Sequence, residues 1–208
     1  MWSICSNGII GGYFEEKIIP CKRENGKMEI GSINEKEVNQ MEFIKAEANR
    51  LAEINRIYVK CKENLIKKNI FQWDEHYPNV DYFQECIETK MLFVLLEEDK
   101  IVGHVVLNEW QTEEWKTIRW IGNNPLIIHS LMIDPSYQGK GIGAIMVKRM
   151  EEYALLNGYD SIRLDTFSGN PQALKLYKKH GYVEKGEIIF ASKPVGHQKY
   201  LCMEKELI

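Results

Sequence analysis

The stretch Leu131-Met-Ile-Asp-Pro-Ser-Tyr-Gln-Gly-Lys-Gly-Ile-Gly-Ala144 decides the fold of this chain. The apolar run from Leu126 to Ile133 predicts a strand, and an amphipathic helix begins directly after the glycine-rich loop. The first amides of a helix have no internal partner, and the helix dipole adds about half a positive charge there. Glycine lets an anion approach the backbone because no Cβ intervenes. The pattern therefore predicts a phosphate-bearing ligand held mainly by main-chain amides.

Two other phosphate-binding loops compete with this interpretation. No segment matches the Walker pattern G-x-x-x-x-G-K-[ST]. Gly139-x-Gly141-x-x-Ala144 does satisfy the dinucleotide fingerprint, and Asp165 follows it as an acidic partner for a ribose. However, five residues separate the strand from the first glycine, and only 43 residues follow Asp165, too few to complete a doubly wound sheet. A dinucleotide site is therefore disfavoured.

Three motifs, in order along the chain, resemble those of the GNAT family of N-acetyltransferases. Gln138-x-x-Gly141-x-Gly143 resembles its pyrophosphate loop. Asn170-Pro-x-Ala173-x-x-Leu176-Tyr177-x-x-x-Gly181-Tyr182 resembles its second signature, and the segment from Leu92 to His104 resembles its central hairpin. The resemblance extends from about Met28 to Leu207.

The resemblance implies a mixed α/β (α+β) layered domain. Its central twisted sheet would be mostly antiparallel with one splayed parallel pair, strands 126–133 and 161–165, and helices would cover both faces. Acetyl-CoA would lie between the splayed strands, with Asn170 and Tyr177 beside its pantetheine arm. The backbone of Leu131, Met132 and Ile133 would pair with that arm. The pyrophosphate would be held at Gln138, Gly139, Lys140, Gly141, Ile142 and Gly143.

The same resemblance places Tyr177 at the position of the general acid, and a phenol with a pKa near 10 is protonated at neutral pH. The base stays open between Glu109, which follows the hairpin, His129 in the central strand, and a water chain without a single base. The pKa of an unperturbed histidine, about 6.5, suits proton transfer. Strict alternation would put Ile127, His129 and Leu131 on one face of the strand.

Composition excludes several other classes. The chain has 208 residues, of which 44% are hydrophobic and 27% charged, with a net charge of −3. No basic cluster indicates a nucleic-acid partner, and no apolar run is long enough for a membrane span. The five cysteines are scattered and lack a C-x-x-C pair, which favours free thiols in the cytoplasm over disulfides or a zinc site. We expect no metal cofactor.

Segments outside these motifs lead to further expectations. Residues 1–27 form an N-terminal extension of uncertain status, and 28–208 form a single domain opening with a strand at Met28. Capping boxes at Ser32 and Asn34, followed by apolar residues from Val38 to Leu65, predict one long or two consecutive helices. The segment 108–124, with three tryptophans, is expected to be a hairpin arm. The loop 72–77 is a candidate acceptor wall whose carboxylates would favour a cationic amine.

The sequence thus predicts an acetyl-CoA-dependent N-acetyltransferase in which a primary amine attacks the thioester directly, within a ternary complex. The alternative is a catalytically silent acyl-CoA-binding or regulatory module of the same fold. The acceptor, a small molecule or a peptide amine, is left open, as is the oligomeric state, although dimers are common in such families.

Overall fold

A computed structural model describes residues 41–74 and 77–207. The predicted start at Met28, the capping boxes at Ser32 and Asn34, and Glu75 and His76 of the acceptor-wall loop lie outside these residues. The strands are β1 (Met41–Lys45), β2 (Leu92–Glu97), β3 (Lys100–Asn108), β4 (Pro125–Ile133), β5 (Ser161–Phe167), β6 (Val183–Ile189) and β7 (Lys199–Glu206). The α-helices are α1 (Leu51–Ile66), α2 (Val80–Glu88), α3 (Ile142–Leu156) and α4 (Pro171–Lys179).

The seven strands form one sheet in the order β1-β2-β3-β4-β5-β7-β6. Every neighbouring pair is antiparallel except β4 and β5, which are parallel because α3 returns the chain between them. These two strands pair only at three positions, from Pro125 opposite Ser161 to Ile127 opposite Arg163. Both continue beyond that point, so they diverge, and the expected mixed sheet with one splayed parallel pair is confirmed.

Helices cover both faces of the sheet, as predicted. On one face, Ile145, Met146 and Met150 of α3 pack against the sheet in the largest core cluster. On the other face, α1 and α2 bury Ile54 and Phe83 over β2 and β3. A third cluster joins Trp115 to the β5–β7 side of the sheet.

Glycines and an asparagine mark the ends of α3 and α4. Gly141 precedes α3 and Gly158 follows it, both with positive φ, a conformation in which side chains are strained. Asn170 Oδ1 accepts a hydrogen bond from the Ala173 amide at 3.2 Å, so Asn170 caps α4. Gly181, also at positive φ, lies just beyond its end.

Two predicted elements are wrong. Residues 41–45 belong to the edge strand β1 rather than a helix, because Met41 and Phe43 also satisfy the two-residue period of a strand and pair with β2. Ile44, expected on the buried helical face, is exposed. The segment 108–124 is not a hairpin arm, since it contains a 3-10 helix at Glu113–Thr117 and otherwise irregular backbone.

Strict alternation in the central strand is also wrong, because β4 contains a bulge. Ser130 has a φ of +51°, and the register shifts so that His129 pairs with Val106 and Met132 with His104. The side chain of Leu131 consequently packs against the core cluster that contains α3. The side chain of His129 lies on the opposite face of the sheet, against Trp110.

Candidate active site

The divergence of β4 and β5 opens a cavity of about 1670 Å³. Its walls come from both strands, from α1, α2 and α4, and from the segment 108–115. The glycine loop lies at one end, and Tyr177, His129 and Asp165 all line the same space. The cavity therefore brings most of the predicted site residues together.

The loop between β4 and α3 is braced from outside the cavity. Asp134 is buried and accepts hydrogen bonds from the amide and hydroxyl of Ser136, at 3.0 and 2.8 Å, and from Lys60 Nζ at 2.8 Å. Burial raises the pKa of Asp134, but the hydrogen bonds from Lys60 and Ser136 outweigh it and lower the pKa overall. The loop thus has a fixed, ionised anchor at its start.

The glycines give the loop the shape expected of an anion cradle. Gly139 and Gly141 have φ values of +79° and +85°, and a Cβ at Gly139 would meet open space. Gln138, Gly139, Gly141 and Gly143 line the cavity, whereas Lys140 and Ile142 do not. Lys140 stacks over Tyr137, and Ile142 is buried in the core, so the latter offers only its backbone.

The edge of β4 beyond Ile127 has no strand beside it toward β5, among the residues that the structure describes. Leu131, Met132 and Ile133 line the cavity along this edge. The Ile133 carbonyl accepts hydrogen bonds from Gln138 Nε2 and Cys61 Sγ, each at 3.2 Å. Of the three residues whose backbone is predicted to pair with the ligand, Leu131 and Met132 are therefore better placed than Ile133.

Tyr177 projects from α4 to the cavity. The side chain is buried. Burial, followed by the nearby Asp165 carboxylate, raises the pKa of Tyr177, so the phenol stays protonated. Asn170, at the start of α4, also lines the cavity and donates through Nδ2 to Gln72 Oε1 at 2.9 Å.

His129 is held by the segment that follows β3. Its Nε2 lies 3.0 Å from Asn108 Oδ1 and 3.2 Å from the Trp110 carbonyl oxygen. A carbonyl only accepts, so Nε2 carries the proton and Nδ1 keeps the lone pair. Burial lowers the pKa of His129 to about 4, and the ring is therefore neutral at physiological pH.

Glu109, the other candidate base, is not among the residues that line the cavity. Its exposed carboxylate accepts a hydrogen bond from the Tyr159 hydroxyl at 2.9 Å, near the C-terminal end of α3. Glu109 lies just past the end of β3 and contacts Tyr159, whereas Asn108, the last residue of β3, contacts His129. The structure does not bring the two candidate bases together.

Asp165 is the site residue that sequence reasoning missed, having considered it only as a ribose partner. It lines the cavity from β5, and its Oδ2 accepts a hydrogen bond from Trp115 Nε1 at 3.0 Å. Burial raises the pKa of Asp165 to about 6. The available signal was its place at the carboxyl end of a predicted parallel strand, where ligand-binding residues of such sheets collect.

The loop expected to form an acceptor wall does border the cavity. Tyr77 reaches the β4 bulge, with its hydroxyl 3.2 Å from Ser130 Oγ. Asp74 forms an ion pair of 2.9 Å with Lys193, so its charge is largely balanced within the protein. Asp74 therefore attracts a cationic amine less strongly than the sequence implied.

The opposite wall, segment 109–124, is fastened to the sheet by a buried ion pair. Arg163 Nε lies 2.8 Å from Glu204 Oε1, and Glu204 also accepts from the amides of Ile121 and Gly122, at 2.8 and 3.1 Å. Arg163 lies against the ring of Trp120 at 4.8 Å. These contacts fix the segment that carries Trp110 and Trp115 over the cavity.

Comparison with known proteins finds a matching family profile and relatives that align with part of the chain. A profile described as Acetyltransferase (GNAT) family matches residues 51–182. Thialysine N-epsilon-acetyltransferase of Bos taurus is 36% identical over 62 residues, which cover 30% of this chain and 36% of the relative. A probable spermine N(1)-acetyltransferase of Bacillus subtilis subsp. natto is 34% identical over 35% of this chain and 49% of its own. The chain thus aligns with less than half of either relative.

Two solved structures share the fold across most of the chain. A GNAT-family acetyltransferase from Streptococcus agalactiae 2603 superposes with a TM-score of 0.71 at 19% identity, covering 80% of this chain and 95% of its own. Spermidine N-acetyltransferase from Vibrio cholerae, in complex with CoA and spermine, gives 0.61 at 21% identity, covering 81% and 96%. Within the described residues, no helix is long and apolar enough to span a membrane, and no group of three potential metal ligands occurs.

Proposed function

The chain belongs to the GNAT family of acetyltransferases, and from that premise we propose that it transfers the acetyl group of acetyl-CoA to a primary amine, by direct attack in a ternary complex. One observation carries the proposal: the β4–β5 pair separates beyond Ile127 and Arg163, and the space between them connects the glycine loop with Tyr177. A thioester with a phosphorylated tail fits such a space, since the loop offers amides and the strand edge offers an unpaired backbone.

The two ends of the cavity bind different parts of acetyl-CoA. The amides of the loop 138–143, at the start of α3, hold the pyrophosphate, where the helix dipole favours negative charge. The edge of β4 at Leu131 and Met132 aligns the pantetheine arm, with Asn170 beside it. Backbone contacts of this kind position the thioester carbonyl without demanding a particular acyl side chain.

The reaction needs a neutral amine, an electrophilic carbonyl and a proton for the leaving thiolate. Tyr177 donates that proton, because its raised pKa keeps the phenol protonated and its side chain lines the cavity. Of the two predicted bases, His129 has the better position, since it lines the cavity with a neutral ring, whereas Glu109 lies outside.

The named relatives support a small amine acceptor, because their names specify thialysine and spermine. The three cysteines in the described residues, Cys61, Cys86 and Cys202, are buried free thiols, which supports the predicted reducing compartment. A cytoplasmic enzyme acting on a small primary amine is therefore the proposed function.

The first test is thermal melting with acetyl-CoA, with NADH as the control. Acetyl-CoA at a hundred times its dissociation constant should stabilise the protein by about 2.7 kcal/mol, or roughly 5 °C or more for a chain of this size. A shift with NADH alone would contradict the assignment. A shift with acetyl-CoA but no thiol release across a panel of amines would instead favour the silent binding module.

A further inference from the structure

The strand register places two titratable side chains on opposite sides of the split. Ile127 and Arg163 are the last paired residues of β4 and β5. Two residues further along each strand, on the same face as that pair, stand His129 and Asp165. The β4 bulge begins only at Ser130, so the alternation holds as far as His129. Both side chains line the cavity in which acetyl-CoA is proposed to bind.

The segment 108–115 orients both His129 and Asp165. The Trp110 carbonyl and the Asn108 side chain engage His129 Nε2, and Trp115 Nε1 engages Asp165 Oδ2. Each group therefore has one polar atom fixed by the protein, while His129 Nδ1 and Asp165 Oδ1 have no hydrogen bond within the described residues. Two acceptors on opposite sides of a gap suit a donor with several hydrogens, such as an ammonium or amine.

The charged surroundings of Asp165 also favour a cation. The groups that influence it come from every neighbouring element: Glu114 of the 3-10 helix, Lys193 before β7, Tyr177 of α4, Tyr200 and Cys202 of β7, and Tyr77 of the 72–77 loop. Lys193 is the one cation in this set, and it already pairs with Asp74. The carboxylate of Asp165 is thus left largely uncompensated at neutral pH.

The charged side chains around the rest of the cavity are separated by sign, and this separation also favours a cation. Lys68, Lys175 and Lys179 line the part formed by α1 and α4, and Lys68 reaches α4 through Gln172. The part formed by α2 and the 3-10 helix is lined by acids, namely Asp81, Glu85, Glu113 and Glu114. An acceptor that carries a carboxylate in addition to its amine would be repelled by these acidic side chains.

We propose that Asp165 and His129 form the acceptor subsite, and that it takes the ammonium of a primary alkylamine, with a diamine favoured over an amino acid. This inference rests on the proposed acetyl transfer and adds to it a base and a substrate class. Asp165 binds the ammonium and His129 Nδ1 accepts a second hydrogen, which fixes the direction of the nitrogen lone pair.

The protons and bonds balance as follows. Asp165 removes one proton from the ammonium and later releases it to solvent. The freed lone pair attacks the thioester carbonyl carbon, so that a C–N bond forms and the C–S bond breaks. The thiolate takes the proton of Tyr177, and the surplus proton on the new amide nitrogen returns to Tyr177 through water.

The test compares Asp165→Asn with Asp99→Asn, which neutralises an exposed carboxylate on the β2–β3 turn, outside the cavity. Asparagine preserves the shape of Asp165 and can still accept from Trp115, so folding should be kept. Acetyl-CoA binding should be unchanged in both variants. We expect kcat/KM for pentane-1,5-diamine to fall about 100-fold in Asp165→Asn and not in Asp99→Asn.

Two further readouts separate a chemical role from a structural one. Because the pKa of Asp165 is about 6, wild-type kcat/KM should fall as pH drops below about 6, where the carboxyl becomes neutral, and Asp165→Asn should lack this acid limb. Wild type should also prefer pentane-1,5-diamine to 5-aminopentanoate, which has the same reacting amine but a distal carboxylate.

Calorimetric titration of the amine into the CoA-bound protein distinguishes failure of the subsite from failure of the enzyme. Amine binding that depends on Asp165, without turnover, would support the subsite and reject acetyl transfer. Turnover that is equal in wild type and Asp165→Asn, or a preference for 5-aminopentanoate, would overturn the subsite and leave the enzyme standing. If wild type neither binds nor acetylates any amine, both proposals fall.

Discussion

Tyr177 and Tyr182 pack edge to face, with ring centroids 5.4 Å apart, yet their hydroxyls have different surroundings. The cavity reaches Tyr177 but not Tyr182. The Tyr182 hydroxyl is buried without a hydrogen-bond partner in the described part of the chain. Two neighbouring residues of one chemical type therefore provide a functional variant and its control.

Tyr177→Phe should lower kcat about 100-fold while leaving acetyl-CoA affinity unchanged, because only the proton for the leaving thiolate is removed. Steady-state kinetics together with melting shifts measure the two quantities. Tyr182→Phe should keep full turnover and should not lose stability, since its hydroxyl is unsatisfied. Unchanged kcat in Tyr177→Phe would remove Tyr177 from the mechanism.

At the residue scale, sequence motifs were most informative where a side chain has one role fixed by local spacing. Asn170, part of the second signature, caps α4 by accepting from the Ala173 amide three residues away. Choosing the base from the sequence was harder. Whether Glu109 or His129 reaches the cavity depends on which face of the sheet it occupies, and that depends on pairing with other strands. Asp165, the proposed base, was not recognised from the sequence because its environment comes from Trp115, fifty residues away in the chain.

Helix α3 is bounded by two glycines in the same backbone conformation. Gly141 at its start has a φ of +85° and lies on the cavity, whereas Gly158 at its end has a φ of +79° with open space around a Cβ. A side chain at either position incurs similar backbone strain, but only the first would reach the proposed pyrophosphate site.

Gly141→Glu should therefore abolish measurable acetyl-CoA binding, because it places bulk and negative charge at the phosphate site. Gly158→Glu should bind acetyl-CoA normally, with each variant losing about 1–2 kcal/mol of unfolding free energy to the positive φ. Isothermal titration and urea unfolding give both numbers. Retained affinity in Gly141→Glu would reject the loop assignment.

The elements themselves show where periodicity is decisive and where it is not. Strand β4 was predicted over 126–133 and is observed at Pro125–Ile133, and α3 begins directly after the glycine-rich loop as predicted, because proline and glycine mark these limits. Residues 41–45 were misassigned, since their apolar spacing fits two periods and pairing with β2 decided between them. The bulge at Ser130 had no local signal of this kind.

On the scale of the whole molecule, the Arg163–Glu204 pair connects the sheet with the cavity wall. Both side chains are buried, and Glu204 has further contacts with the backbone of the 109–124 segment and with Lys185 at 3.7 Å. Removing the arginine would leave a buried carboxylate with only part of its compensation.

Arg163→Met should reduce the free energy of unfolding by about 3 kcal/mol, measured by urea denaturation. Lys148→Met provides the control, because it removes an exposed ion pair of 4.0 Å on α3 and should cost less than about 1 kcal/mol. A loss in Arg163→Met no larger than that of the control would show that the pair does not hold the segment.

The sequence by itself determined the family and predicted the phosphate loop and the role of Tyr177, because each motif depends on neighbours a few residues apart. Only the tertiary structure decided which base candidates reach the cavity, that β4 contains a bulge, and that Asp165 stands across the split from His129. Those facts depend on strand pairing, and pairing between distant segments is set by the packing of the whole sheet rather than by local periodicity.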